Sequence, residues 1–238
     1  MRTLLFINLF IAHFLLQAQN AKEDFAKINE AYSINQNLSF NIEYLAYETY
    51  ASSTPIDKQY GFYKRQGENI YNGLGGIENL TTPAETIVID SANKKLMVKP
   101  TFKSANNNTS NITMVDLDKL LYKYKKIAPV SKNKNERGYT LEFQDKVMSD
   151  YSKVEVYFST KTYLITSLVF YYRAKFDFSN SFPAKTGDKP KLEIKFTNID
   201  TSPSFKEDEF LASHFVIGKR GSRKASSKYK GYSISEQK

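Results

Sequence analysis

The chain has 238 residues, 41% of them hydrophobic and 25% charged, with a formal net charge of +9. That is the composition of a globular protein long enough to bury a core of its own. There is no cysteine, which excludes disulfides, thiolate metal sites, cysteine nucleophiles and a lipid-modified cysteine at a processed N-terminus.

The first twenty residues, "MRTLLFINLFIAHFLLQAQN", run from a basic start at Arg2 through an apolar stretch, Leu4 to Leu16, into small and polar residues. This is the pattern of a signal peptide over 1–20, with cleavage expected between Ala18 and Ala21. The run is too short for a bilayer span, which needs roughly 20 apolar residues. An exported, periplasmic chain without a transmembrane segment is therefore expected. Losing Arg2 removes one of 34 cations against 25 acids, so the processed chain stays basic.

In "AKEDFAKINEAYSIN" (21–35), Phe25, Ile28 and Ala31 or Tyr32 recur at helical spacing, with Glu23 and Asp24 near the start. "NLSFNIEYLAYETY" (37–50) alternates with period two and reads as a strand. "KQYGFYKRQGENIYNG" (58–73) reads as two strands about a Gly67-Glu68-Asn69 turn, and "ETIVIDSANKKLMVKP" (85–100) as a hairpin. A polar loop then leads to "NITMVDLDKLLYKYKKI" (111–127), whose Met114, Leu117, Leu120, Leu121 and Tyr124 predict a second helix.

A strand is expected at 138–144 and a hairpin in "KVEVYFSTKTYLITSLVFYYR" (153–173). With Phe158 opposite Tyr163, one face of that hairpin holds Val154, Val156, Phe158, Tyr163, Ile165, Val169 and Tyr171. The other, with Glu155 opposite Thr166, turns apolar at Leu168, Phe170 and Tyr172. "PKLEIKFTNI" (190–199) alternates cleanly, and "FKEDEFLASHFV" (205–216) reads as an acidic turn closing onto the sheet. The segment 218–232 holds six lysines and arginines without an acid and reads as part of a solvated, disordered tail (218–238). Its Lys219, Arg220, Arg223 and Lys224 are the candidates for contact with an anionic membrane surface or an acidic partner. Export argues against nucleic acid.

Catalytic and metal motifs are scarce. His13 leaves with the signal peptide, so His214 is the one imidazole of the processed chain, and no G-x-S-x-G elbow accompanies any serine. One histidine without cysteine does not make a usual zinc set. "NGLGG" (72–76) lacks the G-K-S/T of a phosphate loop. No enzyme, metal or cofactor is expected. Sequential hairpins without a Pro/Gly-rich linker imply an antiparallel sheet or open barrel in one domain, 21–217, with helices on one side.

The order of these elements resembles the LolA/LolB-like superfamily of periplasmic lipoprotein carriers. The resemblance covers roughly residues 22 to 216. Its most specific parts are the hairpin whose turn runs into "TYLITSL" and the late strand followed by an acidic turn and Phe. It implies an α+β fold in which a strongly curved antiparallel sheet forms an unclosed β-barrel, with helices covering the concave face. It further implies a monomeric outer membrane lipoprotein carrier that holds acyl chains in an apolar cavity between sheet and helices. Phe40, Ile42, Tyr44, Phe62, Val156, Phe158, Tyr163, Ile165, Leu117 and Leu121 would line that cavity. The family's carriers use an arginine to control opening, and Arg65, by its position in the second strand region, is the candidate for that role. The Lys/Asn/Tyr/Phe-rich composition and the signal ending in "QAQ" are similar to those of Bacteroidota exports. An alternative reading is a cell-envelope interaction module of the same fold, recruited through its basic tail.

Overall fold

Ala21, Asp24, Phe25, Ile28, Ala31 and Tyr32 recur three and four residues apart, and they are the buried stripe of helix α1 (residues 20–34). The structure is a computed structural model and describes residues 20–101, 123–175 and 189–237. Its strands are β1 (Asn37–Tyr47), β2 (Asp57–Gln66), β3 (Asn69–Leu74), β4 (Ile77–Thr81), β5 (Glu85–Asp90), β6 (Lys95–Pro100) and β7 (Tyr124–Asn133). They continue as β8 (Glu136–Phe143), β9 (Tyr151–Ser159), β10 (Ile165–Tyr172), β11 (Lys191–Asp200), β12 (Val216–Ile217), β13 (Lys224–Ala225) and β14 (Ser233–Glu236). The described residues group into two compact units, the first from 20–34, 44–58, 123–175 and 189–196 and the second from 35–43, 59–101 and 197–237. β1 and β11 each give residues to both.

In the first unit the strand order is β1-β11-β10-β9-β8-β7. The pairs from β7 through to β11 are antiparallel. α1 lies on one face of this sheet. The Phe25 and Tyr139 rings are 5.7 Å apart, and the Ile165 amide donates to the Tyr32 hydroxyl at 3.3 Å. Burying Ile28 stabilises this packing by about 2 kcal/mol.

The β9–β10 hairpin corrects the expected register. Ile165, not Tyr163, stands opposite Phe158, and the register shifts before Ser167, which pairs with Tyr157. Thr166 is the extra residue of a β-bulge. Beyond it Leu168 opposes Val156 and Phe170 opposes Val154, so these apolar residues join the face of Val154, Val156, Phe158 and Ile165. Ser167, Val169 and Tyr171 move to the face of Tyr157, Glu155 and Lys153. One inserted residue resolves what looked like two apolar faces.

The expected helix over 111–127 falls mostly outside the described residues, but its end is corrected. Tyr124 begins β7 and packs on Phe143, its antiparallel partner, with ring centroids 4.8 Å apart. Pro129 within β7 is compatible with an edge strand and not with a helix interior.

In the second unit the order is β14-β6-β5-β4-β3-β2-β1, and only the β14–β6 pair is parallel among those from β14 through to β2. The paired strands are thus antiparallel but for β14–β6, and β14 and β7 each have one strand neighbour among the described residues, so the sheet is unclosed. One face carries Leu80, Ile87, Ile89, Leu96 and Val98, covered by Phe210, Phe215, Val216 and Tyr229. Tyr229 lies within the stretch read as a disordered tail. That stretch contains β13, a 3-10 turn at Ser227–Tyr229 and β14. Among the described residues no helix is long and apolar enough to cross a membrane.

Candidate functional site

In the first unit the helix-side face brings together four of the expected cavity residues. Val156, Phe158 and Ile165 are buried there, and Tyr163 stacks on Phe158 with centroids 5.8 Å apart. Tyr163 occupies the left-handed region at φ 56° in the hairpin turn, a conformation uncommon for a bulky residue. The Lys27 Nζ sits 5.3 Å from its ring centroid and the Arg137 guanidinium 5.9 Å. Further along, Leu168, Phe170, Leu192 and Ile194 share this face and are only half-buried. The face is dry beneath α1 and partly open along β10 and β11.

Asp24, which the sequence offered only as a helix-start acid, is central. It is buried on the apolar stripe of α1, where Tyr139 donates to it at 2.7 Å and Arg137 donates to its other oxygen. Burial, then the bond to Asp24, pushes the Tyr139 phenol well above its ordinary range. Beside this triad opens a cleft of about 570 Å³, bounded by Glu23, Lys27, Ser131, Arg137 and Tyr139. Its walls are polar. The available signal was an acid three residues after Ala21 and four before Ile28, in line with the apolar stripe of the helix.

The opposite face of the same sheet carries a lattice absent from the expectations. Tyr157 and Tyr171 both donate to one Glu155 oxygen at 3.1 Å, and Lys153 donates to the other at 2.9 Å. Glu193 accepts from Tyr47 at 3.1 Å and from Lys132 at 3.0 Å, while Lys132 also donates to the buried Ser167 at 2.7 Å. Lysine carbon and charge cover the rings, as where Lys132 Nζ lies 4.3 Å from the Tyr157 centroid. Burial first, then Glu193, raises the Tyr47 phenol to about 12. The lattice satisfies its own charges and leaves no activated nucleophile, since Ser167 is sealed and held by an ammonium.

Of the other expected residues, Tyr44 is half-buried in the first unit with its phenol raised by burial, and Leu117 and Leu121 lie outside the described residues. In the second unit Phe40 and Ile42 are buried, and Phe40 stacks on Tyr63 at 4.8 Å. Phe62 does not join them. Strand alternation puts it on the other face of β2, at 5.0 Å from Tyr71 and beside the ion pair of Lys64 with Glu209. Arg65 is buried and donates to the Asn35 carbonyl at 2.9 Å, which ties β2 to the residue after α1.

The basic residues divide. Arg223 is enclosed and paired with Glu85 at 2.7 Å, so burial withdraws it from surface contact, whereas Lys219, Arg220 and Lys224 are exposed. His214 lies 3.0 Å from Asp208 through Nδ1 and accepts from Lys228 through Nε2 at 2.9 Å, a structural arrangement on the C-terminal layer. Among the described residues no cluster of His, Asp and Glu could hold a metal ion.

The chain matches no family model, and no characterised protein matches its sequence. Its fold is similar to solved structures at low identity. An uncharacterized conserved protein from Thermus thermophilus is 8% identical, with a TM-score of 0.49 over 92% of this chain and 99% of that one. A LolA superfamily protein from Nitrosomonas europaea is 11% identical, with a TM-score of 0.33 over 80% and 96%. In the MucA/MucB complex of Pseudomonas aeruginosa the matching chain is 14% identical, with a TM-score of 0.46 over 81% of this chain and 61% of that one.

Proposed function

We propose that the protein is a non-catalytic periplasmic carrier, monomeric, that holds the acyl chains of a lipoprotein or another lipid against the helix-side face of the first unit. The observation that supports this reading is the gradient of burial along that face. Phe158, Leu164 and Ile165 are sealed near the hairpin turn, while Leu168, Phe170, Leu192 and Ile194 stay half-exposed. Apolar side chains aligned in that way on neighbouring strands gain from covering by hydrocarbon, about 0.8 kcal/mol for each CH₂ removed from water. The resemblance of the element order to lipoprotein carriers points the same way.

The test is extraction of the purified protein with organic solvent, followed by mass spectrometry and titration with a fluorescent acyl probe. Co-extracted lipid and saturable probe binding are expected. The variant Phe170→Glu should lose the probe while its melting temperature stays close to that of the parent, because Phe170 is only partly enclosed. Protein that is free of lipid and does not bind the probe overturns the reading.

A further inference from the structure

We infer that the β12–β13 hairpin of the second unit is a docking surface for an anionic phospholipid membrane. Residues 218–232 contain Lys and Arg but no acid, and the structure turns this composition into a shaped projection. Val216 pairs with Ala225 and Ile217 with Lys224. Strand alternation therefore places the buried Val216 and the partly buried Ala225 inward and Ile217 with Lys224 outward. Ile217 is 50% exposed, and Lys219 and Arg220 are exposed in the turn that follows.

The turn is held in place. Glu236 accepts from the Gly221 amide at 2.9 Å and the Arg223 amide at 3.3 Å, Arg223 is locked to Glu85, and the Ser226 hydroxyl donates to the His214 carbonyl at 2.7 Å. The nearby acids Glu85 and Glu236 fix the turn, and Arg220 donates to the Gln237 carbonyl at 3.1 Å and lies near Glu236, while Lys219 and Lys224 present their charge to solvent. An outward isoleucine set among cations separates the possible partners. An acidic protein would satisfy the charges alone, whereas a lipid surface offers phosphates to the cations and acyl boundary to Ile217. This inference concerns where the protein stands, and it holds or fails independently of what the first unit carries.

The test uses the protein recovered from the cell envelope and vesicles of phosphatidylcholine with and without about one-third phosphatidylglycerol. Sedimentation with the anionic vesicles alone, abolished by high salt, is expected. Each cation near such a surface contributes about fivefold, so the combined variant Lys219→Gln, Arg220→Gln, Lys224→Gln should lower partitioning about a hundredfold. The single variant Ile217→Ser should weaken it a few-fold without changing its salt dependence. All four side chains are exposed, and an unchanged thermal midpoint confirms that loss of binding is not loss of fold. Should the combined variant melt early, Lys219→Gln alone, read against salt, decides the matter. Failure of the parent to bind anionic vesicles, or equal binding by the charge variants, overturns the inference, as does capture of an acidic protein without vesicle binding.

Discussion

Asp24 on α1 accepts a hydrogen bond from the Tyr139 hydroxyl of β8 at 2.7 Å, across 115 residues of chain. The pair, completed by Arg137, fixes where the helix rests on the first unit's sheet. Apolar packing is tolerant of sliding, whereas a buried carboxylate has one position in which both oxygens are satisfied. The helix is therefore registered against the strand by polarity and stabilised by the apolar groups around it.

Replacing Asp24 with Ala strands a buried phenol and part of a guanidinium. Arg137 is half-exposed and recovers water, so the cost rests mainly on Tyr139 and should be about 2 kcal/mol. Asp24→Asn keeps an acceptor for the phenol and should cost about half of that. Chemical denaturation of both variants and of Tyr139→Phe checks this. Equal losses for Ala and Asn would count against a hydrogen-bonded role.

Gly138 pairs with Tyr157, and a Cβ there would meet the Val156 carbonyl oxygen at 1.9 Å. Backbone cannot yield as a side-chain end can, so Gly138→Ala should destabilise the protein by about 3 kcal/mol. The comparison is Gly76→Ala, at φ 87° with open space around the added carbon, where backbone strain alone acts and the loss should be about 1 kcal/mol.

What could be read from the sequence follows from how each element is covered. β5 and β6 alternate because one side meets a packed layer, and their positions are legible. β7, "YKKIAPVSKN", is mostly exposed and so lacks a pattern, and its first residues were absorbed into a helical stripe. The C-terminal layer was hidden by its lysines. Its buried residues, Phe215, Val216, Ser226 and Tyr229, follow neither period because they hang from turns. Of the residues beneath α1, Val156, Phe158 and Ile165 stand on one face as alternation suggests, whereas Tyr163 is placed by its turn conformation and not by pairing with Phe158. Arg137 and the Glu155 and Glu193 lattices depend on pairings across strands that no local pattern encodes.

Alkali should unfold the protein earlier than its composition suggests. Burial raises the phenols of Tyr47, Tyr172 and Tyr229 to about 12, and those of Tyr71, Tyr139, Tyr157 and Tyr171 higher still. A phenol raised in the folded state contributes stability that is fully present below its ordinary value near 10 and is lost as pH rises through the folded value. Stability should therefore fall from pH 10 upward, with phenolate absorbance appearing together with unfolding. Tyr157→Phe combined with Tyr171→Phe should shallow the decline.

Acid acts on the C-terminal layer of the second unit. The Gly221 amide, then that of Arg223, holds the Glu236 carboxyl below its ordinary range. A depressed carboxylate contributes stability above its ordinary value, near 4, that is lost as pH falls through the folded value. Amide exchange at Gly221 should accelerate below pH 4 before global unfolding. Glu236→Gln should show the faster exchange already at neutral pH, and no change there would separate the turn from this carboxylate.

The bulge at Thr166 makes a sharper prediction, because it distinguishes an inserted residue from a structural one. Ile165 faces α1 and Ser167 faces away, with Thr166 unpaired between them in the register. Deleting Thr166 joins Ile165 directly to Ser167, and the two then alternate as ordinary neighbours opposite Phe158 and Tyr157. Leu168 and Phe170 stay with Val156 and Val154, so the apolar face survives and only local twist is lost. The deletion should cost about 1–2 kcal/mol and keep a cooperative transition. Deleting Glu155 from β9 has no such escape. β9 pairs on both sides, with β8 and β10, and a one-residue slip would turn Val154 and its neighbours to the wrong face against both partners. That variant should show no cooperative unfolding at all. If both deletions fold, or both fail, the bulge is not what sets the hairpin's faces.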